Sequence, residues 1–316
     1  MGEVETTRTY IEGGNMLVGT MPNGDPYAVV GRDSLLISTF NFENEYKKDP
    51  KKVPEFAPAN INKRVTEMEK AGKFSQSPID QTIAKLENAK YFETGTSPED
   101  KIKKAKEFLA TVDITQDIMS QDIGISREKI TFVPQPDFHV DMHMRPLGPG
   151  QVMINDYDAN IELIDKALVK AKPGSWEEKE LKSMKENAVE MKKLMGPVMD
   201  EIKKKFEESG LKVVRAPGVI DSNMEGGDTR HVNFMNAIPG TSTGTNEKYY
   251  MTNYCSVGPL REAYEEYMKQ NFDMAKIYWL GSDGGGRNTK SNSEKSLRLE
   301  GGLDCRENHE LCYFPR

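Results

Sequence analysis

Residues 138–144 read Phe-His-Val-Asp-Met-His-Met, and apolar and polar side chains alternate along them. Alternation with a period of two is typical of a β-strand, whose successive side chains point to opposite faces of the sheet. A strand here places His139, Asp141 and His143 on one polar face and leaves an apolar face behind it. Three interpretations are open: an exposed edge strand, a catalytic strand, or a metal site built from histidine and carboxylate ligands.

Outward from this segment, short apolar runs alternate with helical patterns, which indicates the α/β class. We predict the remaining strands at 15–19, 27–31 (with 35–37 as an extension), 129–133, 151–155, 211–215, 231–238, 249–251 and 275–280. We predict helices at 78–92, 98–112, 159–171, 176–209 and 258–270. The first two begin with Ser-Pro, which suits an N-cap followed by proline in the first turn. Gly196-Pro197 is expected to kink or break the helix at 176–209.

The overall composition excludes several classes of protein. The chain has 43 lysines and arginines against 50 aspartates and glutamates, a net charge of −7, so we expect neither a nucleic-acid partner nor a membrane partner. Its three cysteines are too few for a disulfide scaffold. Neither an apolar run of about 18 residues nor a signal-peptide pattern occurs. Together these features favour a cytoplasmic protein.

Two glycine-containing stretches lie far from residues 138–144 in the sequence. Residues 300–305 read Glu-Gly-Gly-Leu-Asp-Cys, and residues 12–15 read Glu-Gly-Gly-Asn just before a predicted strand. Cys305 is a candidate nucleophile, but a thiol needs activation near neutral pH, which a nearby histidine provides. Taken alone, residues 300–305 are also compatible with a turn before a small buried residue. Residues 12–15 are also compatible with a turn that carries a solvated glutamate.

Taken in chain order, the three stretches resemble the guanidine-modifying superfamily of arginine deiminases, agmatine deiminases, dimethylargininases and amidinotransferases. Residues 146–150, Pro-Leu-Gly-Pro-Gly, and residues 232–240, Val-Asn-Phe-Met-Asn-Ala-Ile-Pro-Gly, agree with the same superfamily. The resemblance runs from about residue 10 to about residue 310 and is interrupted by the helical stretches.

The resemblance implies a pentein-type α/β propeller built from ββαβ modules. Residues 1–316 are expected to form a single catalytic domain with helical insertions at about 41–125 and 159–210. Members of the superfamily carry a longer strand-rich segment before the Glu-Gly-Gly stretch, whereas eleven residues precede it here. We therefore expect a propeller that is incomplete at its N-terminus and is completed by an upstream chain or by a second copy of this chain.

The resemblance also implies a role for each matched residue. Cys305 is expected to attack the guanidinium carbon, and His139 to protonate the departing nitrogen and then activate water. Glu12 is expected to orient His139. Asp141 is expected to bind the guanidinium N–H groups, and Asn15 and Asn236 to contribute to substrate binding. A second carboxylate clamp has three candidates: Asp33, Asp137 and Asp304.

The implied activity is hydrolysis of a guanidino group to a ureido group and ammonia, through a covalent thiouronium intermediate on the cysteine and without a cofactor or a metal ion. The expected substrate is a small guanidino compound or an arginine side chain. Residues 12–14 favour this deiminase branch, whereas residues 147–150 resemble the amidinotransferases, which pass the amidino group to an amine. A catalytically inactive binding protein with the same fold is the third alternative.

Overall fold

A computed structural model describes residues 7–136, 139–221 and 232–280, which form seven α-helices and eleven β-strands. The strands are β1 Met16–Thr20, β2 Pro26–Gly31, β3 Ile130–Val133, β4 Met144–Gly148, β5 Gln151–Asn155, β6 Lys212–Ala216, β7 Val219–Asp221, β8 Val232–Asn233, β9 Ala237–Thr241, β10 Lys248–Asn253 and β11 Lys276–Leu280. The helices are α1 Arg32–Lys48, α2 Pro58–Lys70, α3 Gln76–Asn88, α4 Pro98–Ile123, α5 Tyr157–Lys170, α6 Trp176–Glu208 and α7 Gly258–Phe272. The mixed α/β class predicted from the sequence is confirmed.

One supersecondary unit occurs three times. The sheets β1-β2-β3, β4-β5-β6 and β9-β10-β11 each hold three strands in chain order. In each sheet the first two strands are antiparallel and the last two are parallel. A parallel pair requires a crossover, and helices supply it in every case, so each unit is a ββαβ module. Strands β7 and β8 pair separately and antiparallel.

Contacts divide the chain into two compact units. Of the described residues, 7–11 and 32–127 form the first unit, and 12–31, 128–136, 139–221 and 232–280 form the second. In sequence, helices α1–α4 of the first unit therefore lie in the crossover between β2 and β3. The single domain predicted for the whole chain stays a prediction.

The expected strand extension at residues 35–37 is wrong, because these residues belong to α1. Leu35, Thr39 and Phe42 are buried at spacings of four and three, the period of a helix with one apolar face. Asp33 lies in the first turn, where a negative charge interacts favourably with the helix dipole. These helical signals outweigh the β-propensity of a run of three apolar residues.

The first unit contains a charge network around a buried aspartate and a packed apolar cluster. The cluster is formed by Phe42, Val53, Phe56, Ile114 and Ile118.

The charge network centres on Asp113. Arg64 donates to Asp113 at 2.5 Å and to Asp117 at 2.6 Å. Arg127 donates to both oxygens of Asp113 and, at 2.7 Å, to Asp117. Burial alone raises the pKa of Asp113, but the hydrogen bonds from Arg127 and Arg64 and the positive charges of Arg127 and Lys73 outweigh burial and hold its pKa below the ordinary value.

Substituting Asp113→Asn is expected to lower the free energy of unfolding at pH 7 by about 2 kcal/mol, because Arg64 and Arg127 lose a buried partner but are partly exposed and keep Asp117. A depressed pKa in the folded state means that the unfolded chain binds more protons. The contribution of Asp113 is therefore present above its unfolded pKa of about 3.9 and is lost as the pH falls through its folded pKa. Urea titrations at pH 7 and at lower pH measure the difference between wild type and variant, which should shrink on acidification.

Glu87→Gln is the matched control in the same unit. Glu87 pairs with Lys101 at 2.7 Å on a partly exposed surface, so its loss is expected to change stability by less than about 1 kcal/mol. An Asp113→Asn deficit that stays constant from neutral to acid pH would contradict the role assigned to the network.

In the second unit, strand β5 separates two cores. Met153 packs with residues of α5 and α7, whereas Val152 and Ile154 pack with the C-terminal half of α6. Alternating side chains of one strand point to opposite faces, so a strand that is covered on both faces is apolar throughout.

Helix α6 contributes to both cores. Leu181 and Met184 belong to the first core, and Ile202 and Phe206 belong to the second. A kink or a break was expected at Pro197; the helix continues through this residue, so it is not broken there, and the kink stays a prediction. Anchoring of both halves in packed cores offsets the hydrogen bond that proline removes.

None of the helices in the described ranges is long and apolar enough to cross a membrane.

Candidate functional site

A short turn precedes the first strand of each ββαβ module. A 3₁₀ turn at Gly13–Asn15 leads into β1, a second at Val140–Met142 leads into β4, and bends at 234–236 lead into β9. Five predicted site residues lie within or next to these turns: Glu12, Asn15, His139, Asp141 and Asn236. The repeated topology thus places them at corresponding positions of successive modules.

The strand predicted at 138–144 is wrong. His139 is extended, but Val140–Met142 form a 3₁₀ turn and β4 begins only at Met144, where pairing with Ile154 of β5 starts. The alternation of polar and apolar residues resembles that of a strand, yet residues 139–143 pair with no strand in the part of the chain that the structure describes. The shared strand face predicted for His139, Asp141 and His143 is therefore absent.

The turns nevertheless place the imidazole of His139 near two carboxylates. Its Nε2 lies 3.1 Å from Oε1 of Glu12, and its Nδ1 lies 4.0 Å from Oδ1 of Asp141. Asp141 is fully buried, His139 is nearly so, and the side chain of Glu12 is half exposed. A histidine with a carboxylate near each ring nitrogen has the arrangement of a proton-transfer group whose imidazole is oriented by an acidic residue.

Gly14 lies directly against this cluster. A Cβ atom at Gly14 would lie 2.8 Å from Oδ2 of Asp141 and closer still to Nδ1 of His139. The absence of a side chain therefore allows the Gly13–Asn15 turn to approach the histidine. This steric requirement accounts for a glycine immediately after Glu12-Gly13.

Asn15 and Asn236 were assigned to substrate binding, and both are buried. Oδ1 of Asn15 accepts a hydrogen bond from the N–H of Val140 at 3.2 Å. The backbone of Asn236 is bound on both sides, since its N–H donates to Oδ1 of Asn233 at 3.0 Å and its carbonyl accepts from Nδ2 of Asn253 at 2.9 Å. Their assignment to substrate binding stays a prediction.

Asn233 is a residue at this site that sequence analysis missed. It is buried, and its Nδ2 donates to the carbonyl of Met142 at 2.8 Å, so it contacts the turn that carries Asp141. The available signal was a second asparagine, three residues before Asn236, in a stretch that is otherwise apolar.

Several predicted residues lie outside the described part of the chain. These residues are Cys305, Asp304 and Asp137. Asp33, the remaining candidate for the second carboxylate, lies in the first turn of α1 in the first unit. Cys255 is fully buried, an environment typical of structural, unreactive thiols.

A metal site was an alternative for His139, Asp141 and His143. Within residues 7–136, 139–221 and 232–280, no group of three or more histidine, cysteine or acidic side chains is arranged to hold a metal ion. His143 is buried, and its backbone carbonyl accepts from the N–H of Asn155 at 2.8 Å, which ties it to the end of β5.

Comparisons of the chain with protein-family models, with curated proteins and with solved structures gave no significant match.

Proposed function

We propose that this protein hydrolyses a guanidino group to a ureido group and ammonia, with Cys305 as nucleophile and His139 as the proton-transfer group. The observation that carries the proposal is the position of His139, nearly buried, with Glu12 at 3.1 Å from one ring nitrogen and fully buried Asp141 at 4.0 Å from the other. Histidine is the side chain that most often transfers protons to and from reacting groups in enzymes.

In the first half of the reaction, the thiolate of Cys305 forms a bond to the guanidinium carbon. His139, as the imidazolium, gives its proton to the departing nitrogen, the C–N bond breaks and ammonia leaves. The product of this half-reaction is a thiouronium intermediate bonded to the cysteine, and His139 is now neutral.

In the second half, His139 accepts a proton from water while the water oxygen forms a bond to the same carbon. The C–S bond then breaks, which restores the thiolate and releases the ureido product. The proton left on the product is taken up by ammonia. The overall change is guanidinium plus water to ureido compound plus ammonium, and no cofactor is consumed.

The two carboxylates have distinct roles in this scheme. Asp141 is buried, and a carboxylate can accept two parallel hydrogen bonds from the N–H groups of a guanidinium, whose fork-like geometry matches its two oxygens. Glu12 is half exposed and stabilises the protonated form of His139. Charge that is already in place thus favours the uptake of a proton by His139 in the second half of the reaction.

The same proposal extends to the fold. Three ββαβ modules of identical strand order support a pentein-type arrangement in which successive modules each contribute a turn to one site.

The test is a product assay on a panel of guanidines: free arginine, agmatine, a methylarginine and an arginine-containing peptide. Ammonia and ureido product are measured for wild type, Cys305→Ala and the matched control Cys312→Ala, in which a thiol outside the motif is removed. We expect product from wild type and Cys312→Ala, and none from Cys305→Ala.

A second arm adds an acceptor amine. Amidino transfer that depends on the amine, without ureido product, would replace hydrolysis by the amidinotransferase reaction. Absence of any turnover by wild type across both arms would refute the proposed enzymatic function and favour the binding-protein alternative.

A further inference from the structure

The 3₁₀ turn at Val140–Met142 is held at both ends by side chains rather than by a neighbouring strand. At its start, the N–H of Val140 donates to Oδ1 of Asn15 at 3.2 Å. At its end, the carbonyl of Met142 accepts from Nδ2 of Asn233 at 2.8 Å. All four residues are buried, so water does not replace either bond easily.

Each asparagine is itself fixed by its own turn. The N–H of Asn15 donates to the carbonyl of Glu12 at 2.8 Å, so the residue that contacts Val140 also belongs to the turn that carries Glu12. Oδ1 of Asn233 accepts from the N–H groups of Met235 and Asn236 at 2.8 and 3.0 Å. The orientation of the Asn233 amide is therefore determined, with its NH₂ group toward Met142.

We propose that Asn15 and Asn233 are positioning residues that hold the Val140–Met142 turn so that His139 and Asp141 keep the arrangement needed for proton transfer. The inference rests on the proposed function. His139 lies immediately before the bonded N–H, and Asp141 lies between the two bonded groups. Release of either end permits the turn to shift, and a displacement of about 1 Å at a reacting group lowers rates on the order of 100-fold.

The side chain of Asn15 accepts a hydrogen bond from the turn, whereas that of Asn233 donates one. The same Asn→Asp substitution at the two positions therefore has different effects on the two bonds. Asn15 accepts a hydrogen bond, so Asn15→Asp keeps an accepting oxygen. Asn233 donates, so Asn233→Asp places an oxygen against the carbonyl of Met142. Each substitution adds one buried carboxylate, and only the second removes the bond to the turn.

We expect Asn233→Asp and Asn15→Ala to lower kcat about 100-fold with KM changed by less than about 3-fold, whereas Asn15→Asp keeps kcat within about 5-fold of wild type. Asn160→Ala is the control, because Asn160 is also buried and also accepts from a backbone N–H, that of Gly218 at 2.9 Å. It is expected to leave kcat within about 3-fold of wild type.

A second readout is independent of activity. Hydrogen exchange of the Val140 amide, measured by NMR, should accelerate at least about 10-fold in Asn15→Ala and stay slow in Asn15→Asp, while the amide of Ile154 in β5 stays protected in both. If wild type lacks turnover but this exchange pattern is found, the proposed function is refuted, whereas the role of Asn15 in holding the Val140–Met142 turn is supported.

Two outcomes would overturn the inference: equal kcat for Asn15→Ala and wild type, or equal losses from Asn15→Asp and Asn233→Asp. If Asn233→Asp does not fold, the comparison of Asn15→Ala with Asn15→Asp tests the inference. If Asn15 holds the turn, Asn15→Asp must recover both the kcat and the protection of the Val140 amide that Asn15→Ala loses.

Discussion

Substitution of His139 by asparagine is expected to lower kcat/KM for the guanidino substrate by about 1,000-fold or more, because the only proton-transfer group assigned to both half-reactions is removed. Asparagine is close to histidine in polarity and smaller in volume, so the buried position at 6% exposure should tolerate it. Steady-state kinetics measures the loss. Circular dichroism and urea titration show whether the variant is folded.

His143→Asn is the matched control for this experiment. Both histidines are buried and both flank the Val140–Met142 turn. Loss of a buried imidazole without a catalytic role is expected to lower stability while leaving kcat/KM within about 10-fold of wild type. Equal losses from the two variants would assign the effect to disruption of the turn rather than to proton transfer.

Helix starts were the features most directly readable from the sequence. Ser97-Pro98 predicts the start of α4, and the hydroxyl of Ser97 does accept from the N–H of Asp100 at 3.1 Å. The similar Ser77-Pro78 gave a start two residues too late, since α3 begins at Gln76. A helix cap is formed by residues that are three or four positions apart, so it can be predicted from the local sequence without knowledge of the fold.

The turn at Val140–Met142 could not be predicted from the sequence, because it depends on residues that are distant in the chain. Its two anchors, Asn15 and Asn233, lie 125 and 91 residues away from their partners in the chain. Alternation of polar and apolar residues indicates only that successive side chains are alternately exposed to polar and apolar surroundings. It cannot distinguish a paired strand from a turn that distant side chains hold in place.

The three ββαβ modules also could not be recognised as a repeat in the amino-acid sequence. The crossovers that join the parallel strands differ greatly in length: 32–129, 156–211 and 254–275. Helical segments of such different size shift the strands relative to one another along the sequence. The common feature of the modules is the pairing order of short strands, which local patterns do not encode.

Gly14→Ala is the second substitution with a large expected effect. The new methyl group would meet the imidazole of His139 and, at 2.8 Å, the carboxylate of Asp141, both of which are buried. Relief of this overlap requires the Gly13–Asn15 turn and the Val140–Met142 turn to separate, at a cost of about 1 to 3 kcal/mol in stability. Separation lengthens the 3.1 Å approach of Glu12 to His139, so kcat is expected to fall about 100-fold.

Gly148→Ala distinguishes this mechanism from a general effect of adding a methyl group. A Cβ atom at Gly148, in β4 of the same unit, would meet no atom within 4 Å, and its backbone is compatible with alanine. Stability and kcat of Gly148→Ala should therefore remain close to wild type. If Gly14→Ala behaves in the same way as Gly148→Ala, the close packing of the first turn on His139 does not matter for activity. A selective loss in Gly14→Ala means that the glycine is kept so that Glu12 reaches the histidine.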